Sequence, residues 1–292
     1  GDRPGVEFPE QSLGAYLALT VIALWAGRRH FIDVLRSVWR SDPRKSEAEP
    51  LPYNVAALGA IGGLLFMALF LWVSGMTLWA AVVFLVILLM TNTAVTRIRA
   101  EVGSFVHDLH YAGPAIPMVD VFGTRRLGPR NLSIMSLLFV LTRAHYADAM
   151  PHQLEGFRMA DRAGVRLRRL SFVMLLAAVV GLVAAFWAQL DVGYRYGASA
   201  FEPYISARHP LDRLQHWLLN PAPPDGERSA YLVGGFGLSI AIVLMRVKFL
   251  WWRLHPAGYA VSSSFGMKAT WFMFFLAWLI KWVLLKRGGL KA

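Results

Sequence analysis

From Pro50 to Thr96 the chain carries no Asp, Glu, Lys or Arg, and its apolar residues come as a block rather than in an amphipathic period. Crossing a hydrocarbon layer of about 30 Å takes about 20 residues of helix. The block therefore predicts two spans, 54–73 and 77–96, joined at Ser74, Gly75 and Met76. Trp72 and Trp79 bracket the joint, where amphipathic rings settle at a membrane interface. Further blocks predict spans at 12–27, which ends on Arg28, Arg29 and His30, at 171–190, at 229–245 continuing through 252, and at 270–285, which contains Lys281. The fold expected is an all-α, polytopic transmembrane bundle of about six spans, one membrane domain over 1–292, with re-entrant or broken helices and amphipathic interfacial helices. Residues 131–142, uncharged between Arg130 and Arg143, are too short to cross and predict a re-entrant or interfacial helix. Residues 191–228 predict an extramembrane loop.

Composition sharpens this. The chain is 56% hydrophobic and 16% charged, against about a quarter charged in soluble domains. A soluble enzyme, a secreted disulfide scaffold and a disordered chain are all excluded. With no cysteine, disulfides, iron–sulfur clusters and thiolate metal sites are excluded as well. The net charge of +12 gathers at the ends of the apolar blocks, and after Glu227 there are nine basic residues and no acidic one. It reads as a topology signal rather than a nucleic-acid surface. Segments 28–50, 97–130 and 143–169 carry six, five and six Lys or Arg, against four in the acid-rich segment 191–228. The first three are expected in the cytoplasm and the last outside, with the N-terminus outside a prokaryotic inner membrane. Strict alternation then leaves Lys286, Arg287 and Lys291 outside, unless 254–268 re-enters the membrane.

Few ionisable residues remain to carry chemistry. Arg97, Arg99, Glu101, His107, Asp108 and His110 follow directly from a predicted span, and Gly113-Pro114, Ile116-Pro117 and Asp120 come next. Arg97 and Glu101, four apart on a helix, share a face and can pair. The Gly and Pro break the helix where polar groups converge, and broken helices bring freed backbone and dipole ends to a transporter's substrate. Near the other end, Ser262, Ser263 and Ser264 interrupt an apolar hairpin, and Lys281 sits inside a span, where an ammonium is costly. These residues are the candidates for a substrate or proton pathway. Glu101 or His107 is expected to carry the proton, because a modest shift brings either into the physiological range.

His145, Asp148, His152 and Glu155 would share a stripe on an unbroken helix, and such a set is a weak divalent-metal candidate. Pro151 argues against an unbroken helix, and the segment reads better as an amphipathic helix that starts there. All eight histidines lie outside the apolar blocks, which excludes a bilayer haem. No nucleophile stands with a base or metal motif, so no enzyme is expected. No cofactor is expected either.

At His255-Pro-Ala-Gly-Tyr, at Trp271-Phe, at Ala277-Trp-Leu-Ile-Lys281-Trp, at Arg97-Ile-Arg-Ala-Glu101 and at Glu155-Gly-Phe-Arg158-Met-Ala-Asp161, the chain resembles a group of prokaryotic polytopic membrane proteins akin to the oligopeptide transporter superfamily. The resemblance covers the whole chain, as the C-terminal portion of a protein roughly twice as long, and implies proton-coupled movement of peptides or metal chelates. The half that would precede Gly1, and the usual continuation after Gly288-Gly289, are absent from this sequence. The partners this implies are membrane lipids, a small-molecule or peptide substrate, and further copies, an N-terminal half or partner subunits. The alternative function is a non-catalytic structural subunit of a larger membrane complex.

Overall fold

The computed structural model describes residues 8–40, 50–103, 113–142, 148–197 and 202–288. Among these residues the chain is all-helical and contains no strand. Helix α1 (Phe8–Arg40) contains the first predicted span. Helices α2 (Tyr53–Val73) and α3 (Leu78–Val102) form a hairpin about the turn at Ser74–Thr77. Next come α4 (Ala115–Thr142), the amphipathic α5 (Ala149–Arg162) and α6 (Leu167–Tyr196). Then follow α7 (Glu202–Leu219), α8 (Gly226–Lys248), the six-residue α9 (Pro256–Val261) and α10 (Phe265–Gly288).

Five helices are long and apolar enough to cross a membrane: α2, α3, α6, α8 and most of α10. This is a membrane protein. The first predicted span is not among the five, and its position explains why. Residues Ser12, Leu13, Ala15, Tyr16, Ala18, Leu19 and Thr20 of α1 are buried against protein, where small and polar side chains serve as well as apolar ones. The stretch expected to continue to 252 leaves the helix after Lys248, where Phe249 turns to extended backbone. Segment 191–228 is largely helical, holding the end of α6, the whole of α7 and the start of α8.

Helices α1 and α8 form the central pair. A Cβ on Gly14 would collide with the Leu232 carbonyl and the Phe236 amide, and one on Gly235 with the backbone of Gln11. Only glycine permits this backbone-to-backbone approach, the usual way membrane helices gain contact without a hydrophobic drive between them. Residue numbers rise together along the pair, from Gln11 against Gly235 to Leu19 and Ile22 lining one cavity with Val243 and Val247, so the two helices are parallel. Leu13, Tyr16 and Leu19 of α1 pack with Ala94, Val95 and Ile98 of α3 and with Ala257 and Ala260 of α9. Helix α9 doubles back along α1. His255 and Pro256 lie level with Leu19 and Ile22, the Ser12 hydroxyl donates to the Ala260 carbonyl, and Tyr259 donates to Gln11 Oε1 at 3.1 Å.

Helix α4 is bent, not continuous. Gly123 (φ 75°) and Gly128 (φ 75°) leave the helical region and separate arms 115–122 and 129–142, and Pro129 begins the second arm where a missing N–H costs nothing. The ends come back together, with Gly113 packed against Thr142. The short uncharged segment 131–142 is therefore the returning arm of a hairpin. Its buried Asn131 accepts from the Thr77 amide at 2.8 Å and donates to the Thr77 hydroxyl at 3.0 Å, satisfying the start of α3. Helix α7 lies on this hairpin, where Arg213 covers the Phe139 ring at 4.1 Å. By contrast, the most apolar windows of α6 and α10 bury no residue.

Candidate functional site

Two polar centres sit at opposite ends of α8, Arg228 near its start and Arg246 near its finish. Eighteen residues at about 1.5 Å each put them about 27 Å apart, close to the thickness of a hydrocarbon layer.

The centre at the start of α8 is built from the bend of α4 and the linker before α8. Gly123 presses on Pro223 and Pro224, where a Cβ would clash. Thr124 Oγ1 accepts from the Ala222 amide at 2.7 Å, and the Arg125 guanidinium donates to the Pro221 carbonyl at 3.2 Å. Asp225 caps α8 through the Glu227 and Arg228 amides, while its own amide donates to the Asp120 carbonyl at 2.8 Å. These contacts wall in the Asp120 carboxyl, whose Oδ1 takes a 3.4 Å hydrogen bond from Arg228 and whose Oδ2 is buried without a hydrogen-bond partner. Burial pushes Asp120 up to about 6; Arg228 opposes the rise and nearby Glu10 adds to it. Glu10 and Asp120 are the buried carboxyl residues among those described.

The centre at the far end of α8 surrounds a cavity of about 550 Å³ between α1, α3, α8 and the start of α9. Arg97, Glu101, Arg246 and His255 supply its polar lining; Leu19, Ile22, Val243 and Val247 supply most of the rest. Arg97 Nε donates to Glu101 Oε1 at 2.8 Å, the pairing expected from their spacing. Glu101 Oε2 lies 3.7 Å from His255 Nε2. On its other side the ring accepts through Nδ1 from the Ala257 amide at 3.2 Å, capping α9. A neutral ring accepting at Nδ1 carries its proton on Nε2, so His255 presents an N–H to Glu101. Burial and then the charge of Arg246 hold His255 below its ordinary range, while Glu101 works the other way. The ring is neutral near pH 7. Among the described residues, Arg246 makes no hydrogen bond or ion pair.

The remaining sequence candidates fall into three groups. Arg99 points away from the cavity and grips Glu155 of α5 in a fork at 2.6 and 2.9 Å, with His152 at 3.3 Å from the same guanidinium. That fork ties the two polar clusters of the sequence together. A guanidinium stands between His152 and Glu155. No set of three metal-ligating side chains gathers among the described residues, and Asp148 stands at the start of α5. Ser262 donates to the Tyr259 carbonyl at the end of α9, and Ser264 accepts the Met267 amide at the start of α10. Neither these serines nor Ser263 line the cavity, and Lys281 is exposed in the C-terminal half of α10. His107, Asp108, His110 and His145 lie outside the described residues.

One topological expectation changes. Segments 97–130 and 191–228 were assigned to opposite faces, yet residues 120–125 of the first meet residues 221–228 of the second. Segment 97–130 instead starts beside one end of α8 and reaches the other, because the polar backbone freed at Gly123 finds its partners in the linker before α8.

Arg246, His255 and Asp120 were not singled out as site residues in the sequence. Arg246 had a signal, a charge inside a predicted span. His255 stood in a distinctive motif, and Asp120 was separated from its partner by 108 residues.

The chain belongs to DUF6785, a family of unknown function, whose model matches residues 3–292. No curated protein and no solved structure matches it.

Proposed function

We propose that this protein is a secondary transporter, or part of one, whose solute binds in the cavity at the C-terminal end of α8. The observation that carries the reading is that cavity itself: four ionisable side chains stand at the end of spanning helices, bordered by the first residues of a helix too short to cross. Irregular backbone and short helices persist at membrane depth where they line protein cavities, which are the natural solute sites of transporters. Glu101 joins Arg97 to His255 and is the group through which a proton would be exchanged with the solute. The gathering of Arg97, Arg99, Arg246 and Lys248 at one end of the bundle favours that end as the cytoplasmic face of a prokaryotic inner membrane.

The test is reconstitution in liposomes that enclose a pH-sensitive dye. Adding peptides, metal chelates or organic anions outside should move protons for the transported class, and Glu101→Gln should abolish the movement. Unchanged flux in Glu101→Gln removes that residue from the mechanism, and no flux with any class overturns the reading. A second reading, a non-catalytic subunit of a larger complex, is favoured by the bare apolar surfaces of α6 and α10. Native mass spectrometry of gently extracted protein distinguishes it by stoichiometric partner chains.

A further inference from the structure

The cavity at the end of α8 has an uneven set of hydrogen-bonding groups. Its ionisable lining consists of two guanidiniums, one carboxylate and one imidazole. The carboxylate is already committed: Glu101 receives Arg97 Nε at 2.8 Å and faces the N–H of His255 at 3.7 Å. The guanidiniums are not. Arg97 uses only Nε in that pair, so among the described residues its two terminal nitrogens remain unengaged. Arg246, which comes from a different helix, makes no hydrogen bond or ion pair among the described residues. The rest of the lining is aliphatic, from Leu19 and Ile22 on α1 and Val243 and Val247 on α8.

Two planar forks of N–H donors facing a shared space match the geometry of a carboxylate or phosphate, which accepts two parallel hydrogen bonds from each fork. Aliphatic walls beside them match a hydrocarbon body. A solute bearing an ammonium finds one carboxylate in the lining, Glu101, which is already paired with Arg97.

We infer that the cavity binds an amphipathic organic anion, a carboxylate or phosphate head held between Arg97 and Arg246 with an aliphatic portion against Leu19, Val243 and Val247. This rests on the reading of the cavity as the solute site and names the class of solute. Burial and, after it, the charge of Arg246 keep His255 neutral; an anion arriving beside Arg246 offsets the second of these, so anion binding favours protonation of the ring. The charged groups facing that ring are Arg246 from α8 and Arg97 and Glu101 from α3. The added proton has to sit on Nδ1 and displaces the Ala257 amide, loosening the start of α9 as the solute binds.

The test uses the full chain in nanodiscs of phosphatidylcholine, with binding read by tryptophan fluorescence and calorimetry. Octanoate is the anionic probe and octylammonium the cation with the same tail. Octanoate should bind saturably and at least tenfold more tightly than octylammonium. Arg246→Gln should weaken octanoate at least tenfold, with Arg246→Lys intermediate. Because Arg246 is exposed, the Gln variant should keep the parent's melting temperature, which separates lost binding from lost folding. In a second arm, phosphatidylglycerol replaces part of the lipid. If it displaces octanoate through Arg246, the anion site stands and its occupant is a headgroup; if octanoate binds unaltered, the site stands for soluble anions. Equal binding of the two probes, or an Arg246→Gln variant that binds like the parent, overturns the inference. Binding without flux in liposomes leaves the anion site standing and rejects transport; flux without anion binding does the reverse.

Discussion

At the start of α8 an aspartate and an arginine are walled in by backbone, whereas at its finish two arginines, a glutamate and a histidine stand around open space. Carboxylates and guanidiniums stand at both ends, yet at one end Asp120 and Arg228 pair, while at the other Arg246 has no hydrogen-bond or ion-pair partner among the described residues. The difference comes from the backbone. At the start, the bend at Gly123 and the prolines before Asp225 bring unpaired amides and carbonyls together, and these close on Asp120 and Arg228. At the finish, α8 simply ends at Phe249, and α9 turns back along α1 rather than across the cavity. A closed polar centre fixes the backbone around it; an open one is available to a ligand.

The contrast breaks most readily at Gly123. A Val there must hold a positive φ and push against Pro223 and Pro224, so Gly123→Val should cost about 3 kcal/mol or more. The expected outcome is a large fall in melting temperature in detergent, and a variant that melts with the parent would mean the bend is not docked on the linker.

Asp120 gives an effect of similar or smaller size with a defined pH signature. Its native value of about 6 lies above the ordinary 3.8, so the folded protein holds that proton more tightly than the unfolded chain does. The stability tied to the proton is therefore present below about pH 4 and is lost as pH rises to about 6. Asp120→Asn, neutral throughout, should gain on the parent by about 1–3 kcal/mol between those limits and keep a constant difference above them. Melting curves from pH 4 to 8 check it, and a difference that does not vary with pH rejects a raised carboxyl.

Arg99→Gln removes the fork to Glu155. Glu155 is partly exposed, so the loss should be about 1 kcal/mol, with α5 cut earlier in limited proteolysis. Arg246→Gln should be the smallest of all, within about 0.5 kcal/mol in stability, since that side chain holds nothing else in place.

The apolar helices were legible because a run such as Pro50–Thr96 leaves no other way to bury itself, and the Arg97–Glu101 pair was legible because spacing on one helix decides it. The pairing of Asp120 with Arg228 was not, because it depends on a bend created by two glycines with positive φ, and a glycine in the sequence does not announce which conformation it will take. Arg99 was expected in the polar pathway alongside Glu101. It turned instead to Glu155, 56 residues on, because neighbouring odd positions on a helix point to different faces. Arg246 shows the opposite failure: the signal, a charge inside a predicted span, was present but was not taken up.

The parallel contact between α1 and α8, made possible by Gly14 and Gly235, acts as a parity check on the whole chain. If α1 crosses alongside α8 in the same direction, an odd number of crossings separates the two. Helices α2, α3 and α6 are the three candidate spans between them, an odd number, and the ends of α4 meet at Gly113 and Thr142. Adding or deleting one crossing between them would reverse α8 against α1, pull Gly235 away from Gln11 and move Arg246 to the side of the membrane where Arg228 now sits.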